Sequence, residues 1–405
     1  MERIPDRAGA WLREHWLLLV YLLTALAVSA QSTLRSPDNN FLIFRAAARH
    51  LVEGRNLYAA YPGEFLDLFK YSPTFALLFA PFALLPLSVA LAAWSLLNAI
   101  ALYWSVVRLL PSAAARLALA LVYFEVLHSM QRAQSNALVT ALVILAFLAI
   151  ERQRIAGAAA AIAAGAAIKI FPLAAATFGI FQPKRLRFGL FLLGWGLAFA
   201  LLPLAATSPR TLSAQYHSWA TLVAADTADR SGAGGAVYGG LMGGLRLWFG
   251  IGWPNWPVQL AGTALLLLPL ALGRSRWSDP SFRLRYLCSL LIYLVIFNHQ
   301  TESPTFVIAV TGIAIWFATE PRTPLSIGIM ALTLLLVSGA SGDLLPVWIR
   351  RDFMVPWRVK TIPCVLAWAV IQWQLFRDVI AGSASQRGET REDHVTAPEP
   401  RAELR

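Results

Sequence analysis

Charge is scarce in this sequence, and the scarcity excludes an ordinary soluble protein. Asp, Glu, Lys and Arg make up 14% of its 405 residues, whereas hydrophobic residues make up 58%. A soluble globular domain carries roughly 25% charged residues. The apolar residues recur in Leu- and Ala-rich blocks from Trp16 to Phe376. In lipid only helices and closed barrels satisfy every backbone polar group, and these blocks lack the alternation of barrel strands. The sequence therefore predicts an all-α, polytopic membrane protein.

Cysteine is nearly absent. The two cysteines, Cys288 and Cys364, each lie inside an apolar block, so they indicate neither a disulfide framework nor a cysteine metal site. Acidic residues are also few, with 22 Asp and Glu against 34 Lys and Arg, a net charge of +12. The basic residues fall mainly in short loops between apolar blocks, which is the positive-inside pattern of membrane topology. We therefore expect no nucleic-acid partner.

The apolar blocks predict about twelve membrane spans, since each crossing needs roughly 20 apolar residues and fewer where protein surrounds it. The predicted spans are 14–32, 88–108, 112–128, 136–150, 155–168, 171–182, 187–206, 258–273, 282–297, 304–319, 324–340 and 362–377. Pro73–Leu85 is short and bracketed by prolines, so we expect a half-helix in the outer leaflet there. Lys and Arg in alternate loops place both termini in the cytoplasm, and a helix break at Lys169 preserves that alternation.

This topology makes residues 1–380 a single transmembrane domain. Its large outer segments are 33–87, 207–257 and 341–361. The tail from Ala381 to Arg405 is polar and mixed in charge, so we expect a disordered cytoplasmic end.

The N-terminus has two interpretations. Basic residues before Trp16 and the sequence Val28-Ser29-Ala30 resemble a cleaved signal peptide. The many spans that follow favour an uncleaved first helix instead.

Polar residues at membrane depth are costly, so their positions indicate function. In this chain they converge on the outer ends of spans. They are Asp38, Asn39, Asn40, Lys169, the turn Asn298–Glu302, and Arg350, Arg351, Asp352, Arg358 and Lys360 of the last outer loop. The four cations of that loop depart from the positive-inside preference, so we expect an anionic partner for them.

An amphipathic helix is predicted from Asn39 to Glu53, with separate apolar and charged stripes. Because it is amphipathic and outside, it should lie in the plane of the membrane interface. Tyr58, Tyr61 and Tyr71 continue the interfacial character. Asp38 would then lie at the height of the lipid head groups.

Each of these residues has a simpler structural role open to it. Asp38 is suited to N-cap the helix that follows. Lys169 could snorkel or cap carbonyls beside a helix break. His299 and Glu302 could belong to a solvated turn, and the outer cations could bind anionic head groups of membrane lipids. Glu125 is best explained as a buried interhelical hydrogen bond.

The same residues carry a family likeness. The chain resembles glycosyltransferase family 87, integral membrane enzymes of the GT-C class that include polyprenol-phosphate-mannose-dependent alpha-mannosyltransferases. The likeness runs in order from Trp16 to about Phe376. It rests on the acidic residue after the first span and on Phe44–Ala48, Glu53–Tyr58, Lys70–Leu78, Pro81–Pro86, Gln134–Asn136, Ala167–Pro172, Phe297–Pro304 and Ile349–Phe353.

The resemblance implies an inverting hexosyltransferase at the periplasmic face of a bacterial inner membrane. The donor would be a polyprenyl-phosphate sugar, with mannose as the expected hexose, and the acceptor a lipid or a glycan. A single displacement needs one carboxylate as general base, and we assign Asp38. Cations would stabilise the departing phosphate. The predicted substrate contacts are Asn39, Asn40, Tyr58, Tyr71, Lys169, His299, Gln300, Glu302, Arg350, Arg351, Arg358 and Lys360.

Three further points belong to this hypothesis. We expect no obligatory metal or other cofactor, since there is no carboxylate pair of the nucleotide-sugar kind. Mannosyltransferases of the family commonly carry an apolar or aromatic residue where Asn39 follows Asp38, so the sugar and the acceptor stay open. The alternative is a transporter or flippase of a lipid-linked or anionic solute, which would concentrate ionisable residues near the midplane of both halves. Their position at the outer ends favours an enzyme.

Overall fold

The computed structural model describes the backbone of residues 7–231, 239–341 and 345–395, and the side chains of residues 15–225, 239–341 and 345–381. Parts of two predicted outer segments, 232–238 and 342–344, lie outside the described residues, as do both chain ends.

Every regular element in the described ranges is helical, which confirms the all-α prediction. The main helices are α1 (Arg7–Leu34), α2 (Asn39–Val52), α3 (Pro73–Ala83), α4 (Leu87–Leu109), α5 (Ser112–Gln131), α6 (Asn136–Glu151), α7 (Ile155–Ile168), α8 (Arg185–Leu201), α9 (Pro209–Ser231), α10 (Leu241–Phe249), α11 (Asn255–Leu272), α12 (Pro280–Ile296), α13 (Phe306–Thr319), α14 (Pro324–Leu332) and α15 (Thr361–Val395). Other helical stretches are the 3₁₀ helices Phe171–Phe181, Leu202–Ala205, Arg274–Arg276 and Ser303–Thr305, the π-helical turns Thr333–Ser338 and Arg350–Met354, and the short turns Gly339–Ser341 and Val347–Ile349.

Seven helices of the described residues are long and apolar enough to cross a membrane, and each coincides with a predicted span. They are His15–Leu34, Leu87–Leu109, Ser112–Gln131, Arg185–Ala205, Asn255–Leu272, Pro324–Ser341 and Thr361–Ala381. The other predicted spans form helices of 11 to 17 residues. The chain is therefore a polytopic helical bundle, while the number of complete crossings stays a prediction.

The short helices lie inside the bundle. Every residue of α13 from Phe306 to Trp316 is buried, and α13 packs against α5, α6 and α12. By contrast α8 is also apolar all round, yet Phe188 is its one buried residue. A helix that is apolar on every face must be covered by protein or by lipid. Protein covers α13, and lipid is the expected cover for α8.

The helices pack in two connected groups. In the first, α1 packs against α4 and α5, α4 against α6, α6 against α7, and α7 against α8. In the second, α12 packs against α13 and α15. Contacts of α13 with α5 and α6 join the groups.

A short hairpin, residues 155–181, is the least regular part of the first group. The predicted break at Lys169 separates α7 from the 3₁₀ helix Phe171–Phe181, where the sequence predicts an ordinary crossing helix. A 3₁₀ helix rises about 2.0 Å per residue against about 1.5 Å for an α-helix. The 11 residues of the 3₁₀ helix therefore reach about as far as the 14 residues of α7. The two legs match in length for this reason.

The helix predicted over Asn39–Glu53 is present as α2, and its location in the membrane interface stays a prediction. Asp38 caps its start, and Gly54, with φ of +69°, follows its last turn. Its buried face packs on α3, the predicted half-helix, which begins at Ser72 and Pro73 with a side-chain cap. The pair covers the end of the bundle where the candidate site lies.

Charged residues gather at the other end of the bundle. Arg283 donates to both oxygens of Glu151, at 2.6 and 2.8 Å. Arg285 donates to Glu320 at 2.8 Å and also bonds Asp378. The loops predicted to be cytoplasmic thus lie together, opposite the loops predicted to be outside. The membrane side that each end faces stays a prediction.

The last helix extends past the end of the predicted transmembrane domain. Its backbone is helical through Val395, and the disorder predicted from Ala381 stays a prediction. Ala, Gln, Arg and Glu in this stretch favour the helical state, and extending an existing helix avoids the cost of nucleation. Residues 396–405 of the predicted disordered tail lie outside the described residues.

Candidate active site

A cavity of about 680 Å³ opens at the end of the bundle that α2 and α3 cover. Its wall combines α2, the loop before α3, the closed end of the short hairpin, α9, α11 and the end of α12. Six of the predicted site residues line it, namely Asn40, Tyr71, Lys169, His299, Gln300 and Glu302. Residues that are distant in sequence thus share one surface.

Lys169 is held at the closed end of the short hairpin. Its Nζ donates to Asn136 Oδ1 at 2.7 Å and to Gln134 Oε1 at 3.3 Å, and lies 5.5 Å from the centre of the Tyr71 ring. The protein around this ammonium lowers the pKa of Lys169 to about 8 by desolvation, against the opposing effect of Glu302. Within the described residues the ammonium therefore bonds two side chains, those of Gln134, which lines the cavity, and of buried Asn136.

Glu302 lies across the cavity from this lysine, in the turn between α12 and α13. Gln134 connects the two, because its amide oxygen accepts from Lys169 and its Nε2 lies 3.4 Å from Glu302 Oε2. Thr301 is fully buried and donates to Val295 O at 2.6 Å, which fixes the turn to α12. The turn is therefore anchored and not a loosely solvated connection.

His299 and Gln300 occupy the same turn. Asn298 Oδ1 accepts from the backbone N–H of Gln300 at 2.9 Å and so shapes the turn. Gln259 of α11 donates to Phe297 O at 3.1 Å, and its Nε2 lies 3.4 Å from His299 Nδ1. Gln259 Nε2 is an amide donor, so this contact requires His299 Nδ1 to accept.

Asp38 N-caps α2, which is the simpler structural role that the sequence leaves open for it. Its Oδ1 accepts from the backbone N–H of Asn40 at 2.9 Å and from Asn40 Nδ2 at 3.0 Å. Its Oδ2 lies 3.6 Å from Arg132 Nη1, and its side chain is 15% exposed. Asn40 lines the cavity, whereas Asp38, its hydrogen-bond partner, does not.

Asn39 and Tyr58 lie away from the cavity. Asn39 Oδ1 accepts from the backbone N–H of Leu66 at 2.8 Å. Tyr58 is buried, and its hydroxyl donates to Tyr71 O at 2.9 Å. Both side chains hold the first outer segment in place. Neither lines the cavity, so their contact with substrate stays a prediction.

The cations of the last outer loop do not reach the cavity wall in the described residues. Arg351 is exposed and pairs with Asp352 at 2.6 Å. Arg350 and Arg358 lie in the same loop, where burial and then the charge of Arg246 lower the pKa of Arg358. The sequence predicts that these arginines bind substrate together with Lys169. In the structure they lie outside the cavity that Lys169 lines.

Lys360 is a buried structural residue. It bonds Ser341 Oγ, and its Nζ lies 3.7 Å from a Glu125 carboxylate that is fully buried. Burial lowers the pKa of Lys360, and Glu125 opposes that shift. Glu125 also accepts from Ser341, which confirms its predicted role in a buried interhelical hydrogen bond.

Several cavity residues were not predicted. They include Asp67, Lys70, Gln134, Trp219, Gln259, Tyr293 and Phe297. Lys70, Gln134 and Phe297 fall inside the stretches of family likeness, so that signal was available. Trp219 gives no such signal, yet its Nε1 donates to Lys70 O at 3.2 Å and brings α9 onto the cavity.

The lining divides into a polar and an apolar part. Amides, carboxylates and His299 can bond sugar hydroxyls, and aromatic rings such as Tyr71 and Trp219 can face a sugar ring. The apolar part, around Ile168 and Leu294, suits a hydrocarbon chain. Within the part of the chain that the structure describes, no three His, Cys, Asp or Glu side chains come together as metal ligands. The expectation that no metal is required stays a prediction.

Comparison with known families matches residues 69–298 to the model of glycosyltransferase family 87, which is more than half of the 405 residues. The matched stretch includes Tyr71, Gln134 and Lys169. It begins after Asp38 and ends just before His299. No curated protein matches the chain.

Proposed function

Because the chain belongs to glycosyltransferase family 87, we propose that it moves a hexose, with mannose as the expected sugar, from a polyprenyl-phosphate donor to a lipid or glycan acceptor. The transfer inverts the anomeric carbon and takes place on the periplasmic side of a bacterial inner membrane. Family membership makes the protein a membrane glycosyltransferase, which favours the enzyme over the transporter alternative.

The position of Lys169 supports a lipid-phosphate donor most directly. Lys169 follows Ile168 in a cavity wall that combines polar side chains with apolar ones such as Leu173 and Leu294. A polyprenyl phosphate has the same division, with a charged phosphate and a hydrocarbon chain. The phosphate gains negative charge as its bond to the sugar breaks, so a cation there stabilises the transition state more than the ground state.

The reaction then has a simple balance. The acceptor hydroxyl oxygen forms a bond to the anomeric carbon, and the bond from that carbon to the phosphate oxygen breaks. The hydroxyl proton passes to a carboxylate, and the phosphate leaves with the electron pair. Inversion in one step requires no second carboxylate as nucleophile.

We assign the general base to Asp38. The cap and Asn40 occupy its Oδ1, while Oδ2 lies 3.6 Å from Arg132 Nη1 and can accept a proton. Asn40 lines the cavity and donates to this carboxylate, which brings Asp38 next to the cavity wall. Glu302 is the competing carboxylate, and its connection through Gln134 to Lys169 suits it better to binding sugar hydroxyls.

Transfer from defined donors tests the proposed substrate class. The purified protein in nanodiscs is incubated with lipid extract of its source cells and either polyprenyl-phosphate mannose, polyprenyl-phosphate glucose or GDP-mannose. We expect release of polyprenyl phosphate from one of the lipid donors and no release of nucleotide, both measured by mass spectrometry. Turnover of the nucleotide sugar, or neither binding nor turnover of any lipid donor, would overturn the proposal.

The substitution Asp38→Asn tests the base. Asn caps a helix about as well as Asp, so the variant should fold normally. Loss of a general base lowers kcat by about 10²- to 10⁴-fold with little change in donor binding. Glu302→Gln, the matched control, should mainly raise KM. The reverse pattern, with near-normal kcat for Asp38→Asn, would move the base to Glu302.

A further inference from the structure

A second cavity, of about 380 Å³, lies at the opposite end of the bundle from the candidate active site. One wall is the turn from α6 to α7, and the other is the turn from the 3₁₀ helix to α8. These two turns are the open end of the short hairpin, whose closed end carries Lys169. With 14 residues in α7, the two ends of the hairpin are about 20 Å apart.

Three cations line this second cavity, which are Arg154 on the first turn and Lys184 and Arg187 on the second. Among the described residues that line it, none is acidic. The acidic residue closest in sequence, Glu151, is held by Arg283 through two hydrogen bonds. Three positive charges thus share one concave surface without a local carboxylate, and such a surface attracts an anion.

The local backbone adds to this potential. Helices α7 and α8 both begin at the second cavity, and their N-cap residues Arg154 and Lys184 supply no side-chain cap. The first N–H groups of a helix carry partial positive charge. Their field has the same sign as the three side chains.

The remaining wall of the second cavity is apolar. Ile155, Ala156 and Phe191 lie beside the cations, and the Arg187 guanidinium stands 5.6 Å from the centre of the Phe191 ring. Along α8 the neighbouring residues Leu186 and Leu190 are 80% and 61% exposed, on the helix that lipid is expected to cover. A ligand with an anionic head and a hydrocarbon tail fits this combination better than a free anion does.

We propose that the second cavity binds the phosphate of an anionic phospholipid, in the leaflet opposite the candidate active site. The phosphate lies between Arg154 on one turn and Lys184 and Arg187 on the other, and an acyl chain runs along α8. The bound lipid connects the two turns and so stabilises the open end of the hairpin, whose closed end positions Lys169.

Retention of lipid by the purified protein tests this site. The protein is placed in nanodiscs that contain phosphatidylcholine and phosphatidylglycerol, and the lipid that stays bound after extraction is measured by native mass spectrometry. Wild type should retain phosphatidylglycerol in preference to phosphatidylcholine. The double substitution Arg154→Gln with Lys184→Gln should lower that retention by about tenfold, since each basic residue near a membrane surface strengthens anionic-lipid binding several-fold.

Arg152→Gln is the matched control. Arg152 is on the same turn and has the same charge, but it does not line the second cavity, so its variant should retain phosphatidylglycerol like wild type. Equal loss in the control would mean that basic charge in general attracts the lipid, and undiminished retention by the double variant would mean that the cavity does not. If the double variant does not fold, Arg187→Gln alone is measured, with a loss of about threefold expected and no loss contradicting the site.

Two further arms identify the ligand and its effect. Glycerol phosphate or inorganic phosphate at millimolar concentration should leave the lipid bound, and displacement by either would make the ligand a soluble anion. Hydrogen exchange in residues 151–155 and 182–187 should slow on adding phosphatidylglycerol to wild type and not to the variant. Equal slowing in wild type and in the variant would contradict the stabilisation of the two turns by lipid bound in the second cavity.

Discussion

At the scale of single residues, the chemistry of the cavity depends on Lys169. It is one of two lysines in the lining, and it is the one whose ammonium the fold desolvates and aims at two side-chain oxygens. The other, Lys70, pairs with Asp67 at 3.3 Å, and its side chain is 27% exposed. This pair of lysines offers a matched comparison of two cations in one cavity.

Substitution of the two lysines should therefore have unequal effects. Lys169→Met removes the cation beside the departing phosphate, and we expect kcat with a polyprenyl-phosphate donor to fall by about 10²- to 10³-fold. Lys70→Met should change kcat by less than about threefold, since its exposed ion pair contributes little. Initial rates of polyprenyl phosphate release measure both. Equal loss in the two variants would show that the cavity needs net positive charge and not this particular cation.

The same lysine predicts a pH dependence. Its pKa, lowered to about 8 by desolvation, means that the free enzyme carries the charge below pH 8 and loses it as the pH rises through 8. The value of kcat/KM should therefore fall above about pH 8, because that parameter reports the free enzyme. Lys169→Arg keeps its charge to much higher pH and should move the falling limb upward. A falling limb that stays in place in that variant would assign it to another group.

Single site residues could be predicted where a polar side chain interrupts an apolar stretch of the sequence. Asn40, Lys169 and Glu302 were found because polar groups interrupt apolar sequence, and the cavity collects them. Gln134 and Trp219 were not, since their roles depend on which helices meet and sequence spacing does not specify those contacts. The assignment of Asp38 as base stays a prediction, and its role as cap is confirmed.

At the scale of elements, the last outer loop shows how packing changes the meaning of a charge. Lys360 has the sequence position of an outer cation, and the fold uses it to join the start of α15 to α5 through Glu125 and Ser341. That connection could not be read from the sequence, because the partners lie on helices far apart in the chain.

A double-mutant cycle tests this structural role. Lys360→Met leaves the Glu125 carboxylate buried without its partner, which should lower the free energy of unfolding by about 3–5 kcal/mol. Adding Glu125→Gln should recover much of that loss, because the unpaired charge is then removed. Unfolding in detergent measures the stabilities, and donor KM is measured on the variants that fold. A large rise in KM for the stable double variant would return Lys360 to the phosphate-binding set.

The lengths of elements were only partly predictable. The helices lie where the spans are predicted, because apolar runs and basic turns mark them. The short hairpin is different, since its second leg is 3₁₀ over Phe171–Phe181, and apolar composition does not distinguish that conformation from an α-helix. The extension of α15 past Ala381 likewise depends on a preceding helix that a compositional argument treats separately.

At the scale of the whole molecule, the fold has two polar ends with different content. The end with the large cavity carries Lys169 and the anchored turn around Glu302. The opposite end carries the Arg283–Glu151 pair and the second cavity. This division is consistent with an enzyme whose active site faces one leaflet and whose proposed phospholipid site faces the other.

The predicted sidedness can be measured by labelling. Both native cysteines, Cys288 and Cys364, are buried, so an added surface cysteine gives a clean signal. Leu66→Cys lies in the first outer segment and Arg152→Cys in the α6–α7 turn, and both native residues are exposed. A membrane-impermeant maleimide should label the first in intact spheroplasts and the second only after lysis. The opposite pattern would invert the topology.

The location of the donor phosphate is the most direct test of the account. A photoreactive, non-transferable analogue of polyprenyl-phosphate mannose, with the reactive group next to the phosphate, is cross-linked to the protein and mapped by mass spectrometry. We predict adducts on the loop around Lys169 and on the loop that carries Tyr71, with both lost on competition by the natural donor. Adducts confined to residues 345–358 would place the phosphate at the outer arginines and contradict the assignment of this cavity as the active site.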